Sequence, residues 1–250
     1  MAKSKSKYSY NPNPRLSANQ LAEIVNASPT RRKSIIVDAK FPKSVVVAKY
    51  REAMNPLKSF LGDPKRNVPN FADIISGLEA KSIDGSLTPW TRVDAANSAE
   101  ALGFVHSAYN KTGLGKFDLR PLPLKQPKVV IEGVEVGASA ALSVHGTFKN
   151  KPAVGCLSLL FNKSEPSTNT REERCKAAAV LSVLYSEQHL SNFGYAAPKL
   201  SMSYDVFLGK VIVAPNTYKK RLDNMRFACE DVVLHWPTID PPHDYDGPPV

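Results

Sequence analysis

The feature that most constrains the fold of this chain is a nearly continuous apolar run at residues 154–161, which read VGCLSLLF. A run without polar alternation is typical of a strand that is covered on both faces. After a polar loop at 162–169, the sequence predicts a helix over 171–190 that is apolar almost all round between Cys175 and Tyr185. A helix that lacks a polar face has to be buried. Together the two segments predict a β-sheet that is covered by helices.

The same pattern extends over the stretch from Lys128 to Trp236, which predicts the order strand, strand, helix, strand, helix. The first further element is a strand that begins at 129–131, bends at Gly133 or Gly137 and continues through 140–144. It is followed by a predicted turn at 145–150. Beyond the buried helix, the sequence predicts a strand at 202–213 with a turn near Gly209 and then a helix at 218–236. The last helix has the clearest period, because one stripe is apolar and the opposite side is charged. We therefore predict an α/β (or α+β) fold with a mixed β-sheet flanked by helices.

The part of the chain before Lys128 is predicted to be helical. Capping residues and apolar spacing predict helices at 17–26, 44–61, 71–78 and 97–109, with Pro56 kinking the second. A loop rich in Gly and Pro at 111–127 is the predicted boundary. The predicted organisation is a flexible basic arm at 1–16, a helical N-terminal part at 17–127, a β-rich α/β core at 128–236 and a proline-rich acidic tail at 237–250.

The net charge of +10 is concentrated at the start of the chain. Residues 1–66 hold 14 Lys and Arg and 4 Asp and Glu, whereas the remaining residues hold 19 of each. Because clustered cations neutralise phosphates, this asymmetry predicts a surface that faces a polyanion, although a solubilising surface would explain it equally well. The residues predicted to contact nucleic acid are Lys3, Lys5, Lys7, Arg31, Arg32, Lys33, Lys40, Lys43, Lys49 and Arg51.

The cysteines and the apolar runs bear on the cellular location. Cys156, Cys175 and Cys229 are far apart and odd in number, which matches neither a disulfide framework nor zinc-ligand spacing. They predict a reducing, cytoplasmic environment. No apolar run reaches the roughly 18 residues that a membrane helix needs, so no membrane partner is predicted. No phosphate-loop, zinc-protease or serine-hydrolase motif is present, and no cofactor is predicted.

The order of elements from Lys128 to Trp236 resembles the core of the PD-(D/E)XK nucleases, over a little under half of the chain. The resemblance implies an acidic residue on the second strand and a (D/E)xK tripeptide on the third, where carboxylates hold Mg²⁺ and the lysine supports the attacking water. Here Ala140 or Ala141 stands near the first position, and Cys156, Leu157 and Ser158 stand at the tripeptide. None of these side chains supplies a carboxylate or an ammonium group. The resemblance therefore predicts a core that binds nucleic acid without cutting it.

An active Mg-dependent nuclease would need ligands at other positions. Glu132 and Glu135 on the first strand, Lys163 after the apolar strand and Asp205 on the later strand would be the candidates. The alternative is that Glu132 and Glu135 are ordinary solvent-facing strand residues and that Lys163 is a loop lysine.

Three functions follow from these observations. The first is a nucleic-acid-associated binding protein, with DNA or RNA as its partner and an inactive nuclease-like core. The second is a metal-dependent nuclease with displaced catalytic residues. The third is a structural or assembly subunit of a protein complex, in which the acidic tail contacts protein partners.

Overall fold

The structure, a computed structural model, describes residues 6–44, 49–65, 68–161, 163 and 168–249. Its helices are α1 (Ala18–Asn26), α2 (Pro29–Lys40), α3 (Arg51–Gly62), α4 (Val68–Ile83), α5 (Pro89–Ala108), α6 (Thr168–His189) and α7 (Tyr218–His235). Its strands are β1 (Arg15–Ser17), β2 (Asp118–Pro121), β3 (Val129–Ile131), β4 (Val134–Gly137), β5 (Ala140–Phe148), β6 (Lys151–Leu160), β7 (Tyr195–Ala196), β8 (Met202–Asp205) and β9 (Lys210–Val213). The predicted mixed α/β class is confirmed. Along these segments, no helix combines the length and the apolar character needed to cross a membrane.

The described residues pack into two units. The six-stranded unit holds those of Ala48–Gln126 and Ser139–Pro215, and the three-stranded unit holds those of Met1–Val47, Pro127–Ala138 and Asn216–Val250. This division differs from the predicted one, because α1 packs with α7 and the chain at 127–138 leaves the predicted core. The division of the chain into units is decided by contacts between segments that are distant in sequence. Local periodicity carries no information about such contacts.

The six-stranded unit is built on a mixed sheet with the strand order β2-β5-β6-β8-β9 and with β7 also paired to β6. Strand β6 pairs antiparallel with β5 and parallel with β7 and β8. Its residues 153–160 are buried, and α6 packs on β6 and β8 through residues that are buried from Ala177 to Tyr185. The predictions of a strand covered on both faces and of a buried helix beside it are confirmed.

Small polar side chains allow α6 to approach this sheet closely. Ser158 and Ser182 lie 2.9 Å apart at their Oγ atoms, and Ser203 Oγ donates to the Cys175 carbonyl at 2.8 Å. All four residues are buried, so these hydrogen bonds satisfy groups that would otherwise be stranded away from water. Strand β6 also contains Gly155, where a Cβ would clash with the backbone of Leu200. Close packing of helix, sheet and loop therefore depends on small residues at several points.

Helices α3, α4 and α5 complete the six-stranded unit. Leu57, Leu61 and Leu102 are fully buried, and the rings of Phe60 and Phe71 stack with their centroids 4.2 Å apart. Helix α3 begins later than the predicted 44–61 and contains Pro56 in its interior. Helices α4 and α5 extend beyond the predicted 71–78 and 97–109, since the apolar pattern identifies a helix better than it identifies its ends.

The three-stranded unit contains a sheet with the order β1-β4-β3, in which β1 runs parallel to β4. Strands β3 and β4 form a hairpin, and the two turn residues Glu132 and Gly133 have φ angles of 45° and 79°. Positive φ at both positions is the geometry of a type I′ turn, which matches the twist of the two strands. The prediction of one bent strand from 129 to 144 is therefore wrong, because the chain reverses at Glu132-Gly133 between β3 and β4, and β5 belongs to the other sheet.

The described parts of the predicted arm and tail contact each other in the three-stranded unit. Asp246 Oδ1 accepts hydrogen bonds from the backbone N–H groups of Lys7 at 2.8 Å and Tyr8 at 3.2 Å. The Tyr8 hydroxyl donates to Asp244 Oδ1 at 2.9 Å, and the rings of Phe41 and Tyr245 meet edge to face. The prediction of a flexible arm is thus wrong for residues 6–16, because tail carboxylates and aromatic rings hold them in place. Residues 1–5 lie outside the described residues.

Candidate nucleic-acid interface

Exposed aromatic rings lie near the β5–β6 hairpin of the six-stranded unit. Phe148 is 39 % exposed, Phe193 50 % and Tyr195 56 %. The rings of Phe148 and Tyr195 are stacked, with centroids 5.5 Å apart and planes 23° apart. The ring of Phe193 meets the imidazole of His145 edge to face at 5.6 Å. We call the stacked pair of Phe148 and Tyr195 the ring cluster.

Strand pairing brings the members of the ring cluster together from distant parts of the sequence. Phe148 ends β5, and Tyr195 begins β7, which pairs with β6 so that Tyr195 lies opposite Ala153. Gly194 immediately precedes Tyr195 and has a φ angle of 142°. A Cβ at this glycine would lie 2.5 Å from the Pro152 carbonyl oxygen, so a glycine allows the chain to pass close to β6.

Two lysines flank these rings on the hairpin between β5 and β6. The turn residues Lys149 and Asn150 have φ angles of 50° and 61°, again the type I′ geometry. Lys149 Nζ lies 5.6 Å from the centroid of the Phe148 ring, and Lys151 is exposed at the start of β6. Among the described residues, no acidic oxygen lies within 4.0 Å of either ammonium group. Both charges are therefore open to an anionic ligand.

The imidazole of His145, which contacts Phe193, adds no positive charge at neutral pH. Burial, and secondly the charge of Arg120, lowers the pKa of the imidazole below its ordinary value of 6.5. Its Nε2 lies 2.9 Å from Ser143 Oγ, and the guanidinium of Arg120 is paired with Asp118 at 2.7 Å. The open positive charge beside the ring cluster therefore comes from the two hairpin lysines.

The basic residues predicted to bind nucleic acid lie in very different surroundings. Lys3 and Lys5 are outside the described residues. Lys40 is buried, and its ammonium group donates to the carbonyls of Trp236 at 2.8 Å and Ile239 at 2.9 Å. Burial lowers the pKa of Lys40. The prediction that Lys40 contacts phosphates is wrong, because its charge is used inside the three-stranded unit.

Two further predicted contacts are partly occupied by neighbours. Arg31 Nε lies 2.7 Å from Glu23 Oε1. Arg32 Nε donates to the carbonyls of Ile24 and Ala27 at 3.2 and 3.1 Å, so it caps the end of α1. The remaining predicted residues are exposed: Lys7, Lys33 and Lys43 in the three-stranded unit, and Lys49 and Arg51 in the six-stranded unit.

The four residues considered for a displaced nuclease site are divided between the two units. Glu132 and Glu135 belong to the three-stranded unit, whereas Lys163 and Asp205 belong to the six-stranded unit. Lys163 Nζ pairs with Glu100 at 2.6 Å. Asp205 is fully buried, and Arg171 donates to its two carboxylate oxygens at 2.8 and 3.0 Å. Each unit thus contributes two of these residues, and Lys163 and Asp205 each have an ion-pair partner of their own.

The degenerate positions of the nuclease resemblance face each other on adjacent strands. Ala140 pairs with Ser158, and Ser143 pairs with Cys156, and all four are buried. Burial raises the pKa of the Cys156 thiol to about 12, so this side chain is a neutral thiol at physiological pH. Among the described residues, no group of three or more His, Cys, Asp and Glu side chains is arranged to hold a metal ion.

The ring cluster was missed in the sequence because its members are far apart there. The segments FKNK at 148–151 and NFGY at 192–195 each combine an aromatic residue with turn residues. Aromatic residues beside turn residues are a weak signal of a surface ring, and only strand pairing shows that the two segments meet. Comparison of the chain with protein-family models and with curated proteins found no match.

Proposed function

We propose that this protein binds single-stranded nucleic acid through the ring cluster and the lysines of the β5–β6 hairpin. The observation that carries the proposal is the stacked, exposed pair of Phe148 and Tyr195 beside the unpaired ammonium groups of Lys149 and Lys151. Exposed rings stack on unpaired bases, and nearby cations neutralise the backbone phosphates.

The same arrangement favours a single strand over a duplex. In a duplex the faces of the bases are stacked on one another and closed to protein rings, whereas unpaired bases offer both faces. Every base has a π-face, so stacking alone discriminates weakly between sequences. The proposed binding is therefore selective for strandedness and tolerant of sequence.

The exposed basic residues of the predicted set have a secondary role in this proposal. Lys7, Lys33 and Lys43, together with Lys49 and Arg51, are proposed as further phosphate contacts, since phosphate contacts add affinity without sequence preference. The nuclease-like core remains a hypothesis, and we propose that it does not cleave nucleic acid. A cytoplasmic location is part of the same proposal, and it rests on three buried, unpaired cysteines.

The test is a fluorescence-anisotropy titration of a labelled single-stranded oligonucleotide and of its duplex at several salt concentrations. Wild type is expected to bind the single strand more tightly than the duplex. The double variant Phe148→Leu/Tyr195→Leu should lose about tenfold or more of the affinity, because stacking of one base contributes ~1–3 kcal/mol. Trp90→Leu is the matched control, since Trp90 is an exposed ring of α5 in the same unit.

The lysines are tested by the salt dependence of the same titration. Lys149→Gln/Lys151→Gln should flatten the slope of log affinity against log salt by about 1.4, the value expected for two lost contacts to a single strand. Equal binding by wild type and the double ring variant would contradict the proposed interface. If wild type binds neither form at low salt, the proposal fails and the assembly-subunit interpretation replaces it.

A further inference from the structure

The three-stranded unit contains a cleft of about 450 Å³ between the first half of α2 and the end of α7. The chain that follows α7 forms another wall of this cleft. Its lining residues are Pro29, Arg32, Lys33, Ile36, Asp231, His235, Thr238 and Ile239. Ligand sites commonly have volumes of ≈ 300–1,000 Å³, so the cleft is large enough for a small organic molecule.

The lining of the cleft combines apolar surface with convergent charges. Pro29, Ile36 and Ile239 form the apolar part of the wall, and Pro29 is the exposed member of the three. Charged side chains of α2 and α7 line the rest. An apolar wall with a few convergent polar groups is the usual composition of a ligand pocket.

The carboxylate of Asp231 lies close to two of the three basic side chains in the cleft. Asp231 Oδ2 lies 3.8 Å from Arg32 Nη1, and its Oδ1 lies 3.3 Å from His235 Nε2. Lys33 is exposed, and no acidic oxygen in the described part of the chain lies within 4.0 Å of its ammonium group. Arg32 and Lys33 bring two positive charges to the cleft and Asp231 brings one negative charge, so one positive charge is uncompensated, and Lys33 carries it.

We propose that this cleft binds a small amphipathic organic anion, with a carboxylate, sulfonate or phosphate monoester head and an apolar body. The apolar body would pack against the wall formed by Pro29, Ile36 and Ile239, and the head would accept hydrogen bonds from Lys33. Arg32 adds a guanidinium whose position is fixed by its bonds to the carbonyls of Ile24 and Ala27. A cation held in place before binding loses little conformational entropy when the ligand arrives. This proposal is independent of the ring cluster.

Isothermal titration calorimetry with naphthalene-2-sulfonate as the probe tests the proposal on the full chain. Its neutral counterpart, naphthalene-2-sulfonamide, has the same apolar body and nearly the same shape. We expect the sulfonate to bind at submillimolar concentration and the sulfonamide to bind roughly tenfold more weakly, because hydrogen bonds to a charged head are about twice as strong as neutral ones. Equal affinity for the two probes, or no heat of binding with millimolar sulfonate, would overturn the proposal.

Three variants assign the binding to the cleft. Lys33→Gln should weaken sulfonate binding by about threefold to tenfold, whereas Asp231→Asn should strengthen it, because it removes the negative charge opposed to the anion. Arg31→Gln is the control. It removes one positive charge close to Lys33, but Arg31 does not line the cleft. If Lys33→Gln and Arg31→Gln have the same effect, the sulfonate binds by general attraction to a basic surface and the assignment is wrong.

A last variant separates the cleft from the ring cluster, which also offers aromatic surface and positive charge. Phe148→Leu/Tyr195→Leu should retain the affinity for naphthalene-2-sulfonate while it loses affinity for the oligonucleotide. If the double ring variant loses sulfonate binding, the probe occupies the ring cluster and the cleft proposal is refuted.

Discussion

At the scale of single residues, the ion pair between Arg171 and Asp205 shows how burial changes the value of a charge. Asp205 is inaccessible to solvent, and the side chain of Arg171 is 12 % exposed. The carboxylate also accepts hydrogen bonds from the backbone N–H groups of Phe207 at 3.1 Å and Leu208 at 3.0 Å, so it organises the turn between β8 and β9. Asp205 was considered as a metal ligand, and its contacts indicate a structural role instead.

We predict that Arg171→Leu destabilises the protein by about 3–5 kcal/mol, because it leaves a buried carboxylate without its cation. Arg31→Leu makes the same change at an ion pair in which the Arg31 side chain is 52 % exposed, and it should change the free energy of unfolding far less, because solvent screens an exposed pair. Urea denaturation of the two variants measures both values. Similar losses of stability in the two variants would show that the buried ion pair contributes no more to stability than the exposed one.

The hairpin turn at Lys149 gives a second prediction at the residue scale. A lysine with φ near 50° is strained by roughly 1–2 kcal/mol relative to right-handed geometry. Lys149→Gly should therefore stabilise the fold by up to about 1 kcal/mol. Relief of strain in the folded state exceeds this value, but glycine also raises the conformational entropy of the unfolded chain, which offsets part of the gain. It should at the same time weaken oligonucleotide binding, because the ammonium group over Phe148 is lost.

Asn150→Gly is the matched control for this trade-off between stability and binding. Asparagine already tolerates left-handed geometry, and the change leaves both lysines in place. Thermal unfolding and anisotropy titrations should show little effect of Asn150→Gly on either property. A Lys149→Gly variant that binds as tightly as wild type would remove Lys149 from the proposed interface.

At the scale of elements, the packing of α6 on the sheet was the most secure expectation from the sequence. Val180 is fully buried and Leu184 is 7 % exposed, which agrees with a helix that lacks a polar face in this region. Long apolar runs constrain burial strongly, since their exposure to water is unfavourable wherever they occur along the chain.

Leu184→Ala should lower the free energy of unfolding by about 2–5 kcal/mol through lost burial and a residual cavity. Leu124→Ala removes the same atoms from a side chain that is 70 % exposed, and its effect should be within about 0.5 kcal/mol. Chemical denaturation of both variants measures the difference. A loss below 0.5 kcal/mol for Leu184→Ala would contradict the packing of α6 described above.

At the scale of the whole molecule, the charge asymmetry of the sequence is partly cancelled by folding. The three-stranded unit combines the basic start of the chain with its acidic end, and contacts such as Asp246 with the Lys7 backbone hold the two together. The acidic tail was interpreted as a segment that contacts protein partners, yet its carboxylates Asp244 and Asp246 accept hydrogen bonds within the unit.

The contact between tail and arm should depend on pH. Hydrogen bonds from the backbone of Lys7 lower the pKa of Asp246 below its ordinary value of 3.8. A lowered pKa means that the contact stabilises the fold above pH 3.8 and that this contribution is lost as the pH falls through the folded value. The protection of the Lys7 and Tyr8 amides, measured relative to the intrinsic exchange rate at each pH, should therefore fall under acid. Asp246→Asn should show weak protection of both amides already at neutral pH, and equal protection in the two proteins would contradict the described contact.

Local elements could be predicted from the sequence far better than their assembly. Helix α1 with its capping box at Ser17 and Gln20, the buried β6 and the period of α7 each follow from short-range patterns. The ring cluster could not be predicted, because Phe148 and Tyr195 meet only through the pairing of β7 with β6. The placement of the β3–β4 hairpin could not be predicted for the same reason, since it depends on β1, more than a hundred residues earlier.

The three separate segments of the three-stranded unit impose an order on folding during synthesis. The six-stranded unit needs no residue beyond Pro215, whereas the other unit needs α7 and the chain after it. Because domains fold as units while the ribosome adds residues, the six-stranded unit can close first, and the basic arm then has to wait for its carboxylate partners. Proteolysis of ribosome-bound chains of increasing length should show protection of α6 before protection of α2. Until the tail emerges, the backbone of Lys7 and Tyr8 lacks the carboxylate that it binds in the folded unit.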